Sequence, residues 1–272
     1  MSAASFDDFQ QSYLRILGAA ILAFVFFRSY RSKNLLRSLS KREWSIYSIR
    51  AFLGYVFGTA IYTIAINNAD LSIVAFISAV PTLGLLAYVL FREKIPLLSL
   101  PFVGLSIAGV FVLTGANLGD LHLGVGEIAA IVANLGFSVS FLMARMHHKK
   151  RNNFENTTVL LLLGWIPIFI ISLLLHENIV PHNLTIESTV GLILAAVFNV
   201  INLYGANYVF NNMKAYVAGN ILLLETIWAS LFGLLLFAEP ITMTIAAGGL
   251  LIVACALVIN KIDNKDEEAQ IS

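Results

Sequence analysis

"NILLLETIWASL", residues 220–231, places a glutamate in the middle of an otherwise apolar run. In a soluble protein Glu225 would simply turn toward water. The whole chain, however, is 58% hydrophobic and 12% charged, whereas soluble domains are about 45–50% apolar and about 25% charged. A chain this apolar cannot cover its own surface with polar groups, so its composition predicts that a lipid bilayer surrounds it.

Apolar runs of nearly spanning length recur along the chain, with polar residues between them. A transmembrane helix needs about 20 mostly apolar residues. The predicted spans are residues 14–27, 51–66, 71–91, 97–113, 125–143, 159–175, 190–210, 215–237 and 241–259. The sequence therefore predicts an all-α membrane protein with nine transmembrane helices.

The basic residues predict the orientation of these helices. If successive runs cross the membrane in alternation, all of the 17 lysines and arginines except Arg15 fall on one side. Cytoplasmic loops carry such an excess of Lys and Arg. We therefore expect residues 1–13 to form an extracytoplasmic tail and residues 261–272 a charged cytoplasmic tail. The predicted location is the plasma membrane, or cell inner membrane.

An internal repeat organises the predicted helices. "NNADLSIVAFISAVPTLGLLAYVLFREKI", residues 67–95, aligns with "NNMKAYVAGNILLLETIWASLFGLLLFAEPI", residues 211–241, about 145 positions later. The turns that end the two copies fall on opposite sides of the membrane, so the copies are predicted to be inverted. Inverted repeats are typical of alternating-access transporters. The first repeat, residues 14–115, has four predicted helices and the second, residues 124–260, has five, as in a ten-helix arrangement without its first helix.

Four segments carry a resemblance to a known family. They are "LRILGAAILAFVFF" at 14–27, "AINNADLSIVAFISAVP" at 65–81, "LLLETIWASLFGLLLFAEP" at 222–240 and "GGLLIVACALVI" at 248–259. Together they resemble the EamA family of the drug/metabolite transporter superfamily. The chain departs from that family's pattern at Thr226, where proline is usual, and at Ala238, where glycine is usual. The resemblance implies a ten-helix carrier of small metabolites, in which the first helix helps to line the central cavity.

Glu225 is the main candidate for a functional residue. It lies near the middle of the predicted span 215–237, about 15 Å from either interface at about 1.5 Å per residue. Lipid cannot solvate a carboxylate, so Glu225 needs a partner inside the protein. It either binds a proton or a cationic group of the substrate, or it joins two helices as a protonated or hydrogen-bonded group. Trp228 shares its helix face and either forms the floor of a cavity or packs as an ordinary core residue.

Amides in two other predicted helices are further candidates. Asn199 and Asn202 lie three residues apart and point toward one neighbour, and Tyr204 and Asn207 widen this polar sector. Such amides either line a cavity or join helices by hydrogen bonds. A polar stripe runs along the predicted helix 125–143 and beyond it. Its members are Glu127, Asn134, Ser138 and Arg145. The residues at its ends lie near the interfaces, so Asn134 is the member that we expect in the cavity.

The first repeat offers weaker polar candidates, Tyr62, Ser78 and Thr82. Pro81 has no backbone N–H and therefore frees the carbonyl of Ile77 from helical hydrogen bonding. Discontinuous helices near the middle of the membrane are where transporters bind their solutes. Gly54 and Gly58 form a GxxxG motif, which predicts close helix packing.

The sequence thus predicts a secondary transporter that moves a small polar metabolite or an amino-acid-like compound by alternating access. It has no GxxxxGK[ST] motif for ATP-driven pumping, and no cofactor or metal site is expected, because the adjacent His147 and His148 do not share a helix face. No loop offers a catalytic cluster, so an embedded enzyme is the weaker alternative. The other alternative is a non-transporting remnant or a subunit completed by a partner. The expected partners are the bilayer and a small-molecule substrate, with a homodimer left open, and a net charge of +1 predicts no nucleic-acid partner.

Overall fold

Helices account for most of the described residues in the computed structural model. The structure describes residues 6–30, 32–79, 82–93, 95–115, 124–146, 151–181, 184–237 and 242–271, and these ranges contain no β-strand. The α-helices are α1 Asp8–Phe26, α2 Lys41–Ala51, α3 Tyr62–Asn68, α4 Leu71–Ala79, α5 Thr82–Phe91, α6 Leu100–Thr114, α7 Val125–Leu142, α8 Asn153–Leu174, α9 Ile186–Asn212, α10 Ala215–Leu222, α11 Leu224–Phe237 and α12 Met243–Ile271. A π-helical segment, Phe52–Ile61, joins α2 to α3.

Within the described residues, eight helical segments are long and apolar enough to cross a membrane. They cover eight of the nine predicted spans. The predicted span 215–237 is not among the eight and occurs instead as two shorter helices, α10 and α11. The helices also extend beyond the predicted runs. α1 begins at Asp8, inside the predicted N-terminal tail, and α12 continues to Ile271, through most of the predicted C-terminal tail.

The chain divides into two compact units. Unit 1 consists of Met1–Thr63 and Gly136–Asn212, and unit 2 consists of Ile64–Leu135 and Met213–Ser272. Each unit therefore takes segments from both predicted repeats.

Local sequence signals define several helix ends. Asp7 with Gln10 and Ser40 with Glu43 form capping boxes at the starts of α1 and α2, each of which satisfies two otherwise unpaired N–H groups. Gly115 ends α6 with a positive φ of 66°, a left-handed conformation that glycine adopts without strain.

Unit 1 is packed through glycines that allow close approach between helices. A Cβ added at Gly54 would lie 2.7 Å from the Ser140 hydroxyl oxygen, and one added at Gly58 would lie 2.3 Å from the Phe137 ring. Gly164 of α8 is in the same position against Tyr55, whose ring would lie 2.0 Å from an added Cβ. The GxxxG motif therefore serves close packing, as predicted.

Unit 2 has its closest packing between α6 and α12. A Cβ at Gly248 would lie 2.5 Å from the carbonyl oxygen of Gly109. Val110, Leu113 and Ile252 form a buried apolar cluster beside these glycines, together with Ala79. This cluster packs α6 against α12.

Candidate substrate-binding site

Asn134 of α7 is hydrogen-bonded to both sides of Pro81. Its side-chain Nδ2 donates to the carbonyl oxygen of Ile77 at 3.1 Å and to the hydroxyl oxygen of Thr82 at 3.0 Å. The carbonyl of Ile77 is the one that Pro81 leaves without a helical N–H donor. Pro81 itself lies outside the described residues. The structure thus brings Asn134 and Thr82 together in unit 2, at the carbonyl that the sequence predicts to be free.

Glu225 lies two residues beyond an interruption between α10 and α11. At Leu223 the helix tightens, because the N–H of Leu223 donates to the carbonyl of Asn220 at 3.3 Å and the N–H of Thr226 donates to the carbonyl of Leu223 at 3.2 Å. The Thr226 hydroxyl donates to the same carbonyl of Leu223 at 2.7 Å. Such i→i+3 bonds inside a helix often mark a hinge or a functional position.

Glu225 and Trp228 share an exposed face of α11. Glu225 is exposed, and Trp228 is 59% exposed, so the indole is not packed in a core. Ser78 of α4 is exposed as well, and its hydroxyl donates to the carbonyl of Val74 in its own helix at 2.9 Å.

The remaining predicted site residues belong to unit 1. Asn199 is half-buried and donates to the carbonyl of Ala195 in its own helix at 2.8 Å, whereas Asn202 is exposed. Tyr204 is half-buried and lies 4.9 Å from Phe154 between ring centroids. Tyr62 is half-buried at the start of α3.

Asn199 therefore has its partner within α9, and Tyr204 belongs to an aromatic cluster. The members of this cluster are Phe27, Tyr30, Phe154 and Tyr204. Of the polar groups predicted on α9, Asn202 is the one that is both exposed and without a side-chain hydrogen bond among the described residues.

The other members of the predicted α7 stripe have separate structural partners. Glu127 is buried and accepts a hydrogen bond from the N–H of Gly124 at 3.1 Å, so it caps the start of α7. Arg145 donates through Nε to the carbonyl of Phe210 at 3.0 Å, near the end of α9. These contacts give Glu127 and Arg145 roles at helix ends.

The sequence analysis placed Asn207 in a polar sector but did not predict the buried polar network of unit 1 to which it belongs. Arg50 is 1% exposed, although its place beside an apolar run assigned it to a cytoplasmic loop. Its Nε donates to the carbonyl of Ser140 at 2.8 Å, and its Nη2 donates to the side-chain oxygen of Asn207. Asn207 in turn donates to the hydroxyl of Thr157 at 3.1 Å. The network joins α2, α7, α8 and α9, and the signal that could have found it is the amide of Asn207 within the polar sector of α9.

Asn220 is a further residue that the sequence analysis missed. It lies in the last turn of α10, five residues before Glu225. It is 5% exposed, and neither its side-chain nitrogen nor its side-chain oxygen has a hydrogen-bond partner among the described residues.

The described residues contain no group of three or more His, Cys, Asp or Glu side chains that could hold a metal ion. Their polar candidates are amides, hydroxyls and the carboxylate of Glu225. Such groups bind a polar solute by hydrogen bonding and charge.

No curated protein matches the chain. One solved structure, described only as "Crystal structure of protein", has a TM-score of 0.75 at 17% identity, covering 96% of this chain and 89% of that chain. At this identity the likeness shows a shared fold. The sequence model of the EamA-like transporter family matches residues 124–261, which is just over half of the 272 residues. The chain therefore belongs to the EamA-like transporter family, within the drug/metabolite transporter superfamily.

Proposed function

We propose that the chain is a secondary transporter that moves a small polar or amino-acid-like metabolite across the plasma membrane by alternating access. Membership of a transporter family and the eight candidate spans support this proposal. The fold of the inverted repeats would supply the two access states, with the C-terminus on the cytoplasmic side.

The observation that carries the proposal is the position of Glu225 on an exposed face of α11, two residues after the helix interruption at Leu223. A carboxylate that faces lipid at the centre of the bilayer costs about 2.5–3.5 kcal/mol by insertion scales. The exposed face of α11 is therefore best placed against a water-filled cavity lined by protein. There Glu225 would bind a proton or a cationic group of the solute.

Asn134 and Thr82 form a second candidate polar position in unit 2, the unit that also contains Glu225. Their hydrogen bonds hold the chain around Ile77, where Pro81 removes a backbone donor. Transporters commonly build solute sites from such discontinuous helices, because helix ends and unwound backbone carbonyls can bind polar groups of the solute or a coupling ion. Glu225 supplies the charge in this proposal, and the segment around Ile77 supplies neutral polar groups.

The test is transport by the purified full chain in proteoliposomes. The vesicles are loaded with a defined mixture of amino acids, nucleosides and polyamines, and the release of each solute is followed by mass spectrometry. Glu225→Gln is expected to slow release of the transported solutes by about 10–100-fold, because a hydrogen bond to a charged group is worth about 1.5–3 kcal/mol.

Glu187→Gln is the matched control, because Glu187 is also an exposed glutamate in the first turn of a helix. Its release rates should equal those of the parent chain. The proposal is wrong if the parent chain releases no solute faster than empty vesicles. The role of Glu225 is wrong if Glu225→Gln transports at the parent rate.

A further inference from the structure

Asn220 is a buried amide that the proposed function does not use. Its side chain is 5% exposed, and among the described residues it is the one with both amide atoms buried and without a hydrogen-bond partner. Buried amides are normally hydrogen-bonded, because an unpaired donor or acceptor loses its bonds to water and gains none in the protein. Each such exception needs an explanation, of which an absent bound molecule is one.

The surroundings of Asn220 are otherwise well satisfied. Tyr216 lies one turn earlier on the same face of α10, and its hydroxyl donates to the carboxylate of Asp263 at 2.8 Å. Lys214 forms an ion pair with Asp263 at 2.5 Å. Further along the helix, the backbone carbonyl of Asn220 accepts the N–H of Leu223. Of these three residues, Asn220 is the one whose side chain lacks a hydrogen-bond partner, and the hydroxyl of Ser99 is the other such buried side-chain atom among the described residues of unit 2.

The helix that carries Asn220 contacts α5, which Asn134 also contacts. α10 packs against the beginning of α5, since a Cβ added at Gly219 would lie 3.5 Å from the Cβ of Leu83. Leu83 follows Thr82, whose hydroxyl accepts the hydrogen bond from Asn134. α10 and α7 therefore both contact the beginning of α5, and of the two amides that they carry, Asn134 is hydrogen-bonded whereas Asn220 is not.

The chemistry of an amide restricts what can satisfy it. A bare cation would pair with the oxygen of Asn220 and leave its NH₂ group unsatisfied, and an anion would do the reverse. Both atoms are satisfied by a neutral polar group that presents a donor and an acceptor together, such as a carboxamide or a hydroxyl. A water molecule has the same capacity, so the solute and a trapped water are the two sources of this chemistry.

We propose that Asn220 is a solute-binding residue, which takes a carboxamide or hydroxyl group of the transported molecule at the interruption between α10 and α11. The inference rests on the proposed transport function and adds a specificity-determining contact to it. Glu225, five residues later, would set the charge of the solute, whereas Asn220 would select its neutral polar group. Bound solute would then supply the hydrogen bonds that the amide does not find within the described residues.

Asn220→Leu distinguishes a solute from a trapped water as the partner of the amide, because leucine has nearly the shape of asparagine and no polar side-chain atoms. In the empty protein this change should leave the Tm unchanged or raise it, by about 2–4 °C for each kcal/mol gained, since it removes an unsatisfied buried group. In the vesicle assay it should slow release of solutes that carry a carboxamide or hydroxyl about tenfold relative to solutes that lack both. Asn212→Leu is the matched control, because Asn212 is exposed and bonds the carbonyl of Tyr208 in its own helix.

Three results would overturn the proposal. A lower Tm in Asn220→Leu would show that the amide binds a structural water. Unchanged release of every solute would show that Asn220 is not in the binding site. Equal slowing of all solutes would show that it does not select among them.

A labelling experiment tests the same residue without any transported solute. With Cys255 replaced by alanine, Asn220→Cys should react with a small, membrane-impermeant methanethiosulfonate reagent in vesicles, because a solute site opens to water during the transport cycle. Val217→Cys on the same helix, where Val217 is 1% exposed in an apolar cluster, should not react. An unreactive Asn220→Cys contradicts the proposal. Failure of the parent chain to transport would instead contradict the proposed function, so the two failures are distinguishable.

Discussion

The side-chain nitrogen of Asn134 lies 3.1 Å from the carbonyl oxygen of Ile77 and donates a hydrogen bond to it. In a regular helix this carbonyl would accept the N–H of the fourth following residue, which here is Pro81 and has none. A side chain of α7 thus supplies the donor that the proline removes. The same amide donates to the hydroxyl of Thr82, so one residue holds the chain on both sides of the proline.

Asn134→Leu is expected to destabilise the protein by about 1–3 kcal/mol, because it removes two hydrogen bonds and leaves the carbonyl of Ile77 without this donor. The free energy of unfolding of the purified protein in detergent measures the effect. Asn212→Leu should change it by less than about 0.5 kcal/mol, since Asn212 is exposed.

A double-mutant cycle checks the cause of this loss. Pro81→Ala returns a backbone N–H to the fourth position after Ile77, so Asn134→Leu should cost less in that background, with a coupling of about 0.5–3 kcal/mol. An equal cost in both backgrounds would show that the proline has nothing to do with the role of Asn134.

The buried arginine of unit 1 leads to a prediction that separates charge from geometry. Arg50 donates from two different nitrogens, to the carbonyl of Ser140 and to the side chain of Asn207. Lysine keeps the charge and lacks the planar fork, so it cannot reproduce both bonds. Arg50→Lys should lower the free energy of unfolding by about 1.5–3 kcal/mol, the value of one hydrogen bond to a charged group.

Arg37→Lys provides the comparison for this change, because Arg37 is exposed and contributes no buried contact. Thermal unfolding of the two variants in the same detergent measures the difference. Equal Tm values for Arg50→Lys and Arg37→Lys would mean that the network does not depend on the guanidinium geometry.

Two glycines offer a matched test of helix packing. Gly164 of α8 faces the ring of Tyr55, and an alanine Cβ there would lie 2.0 Å from the ring. Gly205 of α9 has no heavy atom within 4 Å of an added Cβ. Gly164→Ala should destabilise unit 1 by about 1–3 kcal/mol or more, whereas Gly205→Ala should be neutral or stabilising by up to about 1 kcal/mol. Similar Tm changes for both variants would contradict the close approach of α8 to Tyr55.

The sequence predicted the helical class and most spans because hydrophobic run length is a property of the chain alone. It also predicted the free carbonyl of Ile77, since proline lacks an N–H in every context. The interruption at Leu223 carries no such signal. No proline or glycine marks it, and it is visible only in the hydrogen bonds that Asn220 and Thr226 make there.

The sequence was least informative about polar residues whose partners come from distant segments. Arg50 lies at the edge of an apolar run, where arginine usually marks a loop, and its burial depends on Ser140 and Asn207. The unsatisfied state of Asn220 is likewise a property of its neighbours, which no local pattern contains. In the same way, Asn199 has its partner in its own helix, at the carbonyl of Ala195.

Two exposed positions in unit 1 test the predicted orientation of the chain in the membrane. Lys41 begins α2 on the predicted cytoplasmic side, and Val180 lies in the predicted extracytoplasmic loop between α8 and α9. In a Cys255→Ala background, Val180→Cys should react with an impermeant thiol reagent in intact cells, because loops rich in Lys and Arg stay in the cytoplasm and residues 176–189 contain neither. Lys41→Cys should react only after the membrane is permeabilised. Labelling of both cysteines in intact cells, or of neither, would contradict the alternation of spans on which the inverted arrangement depends.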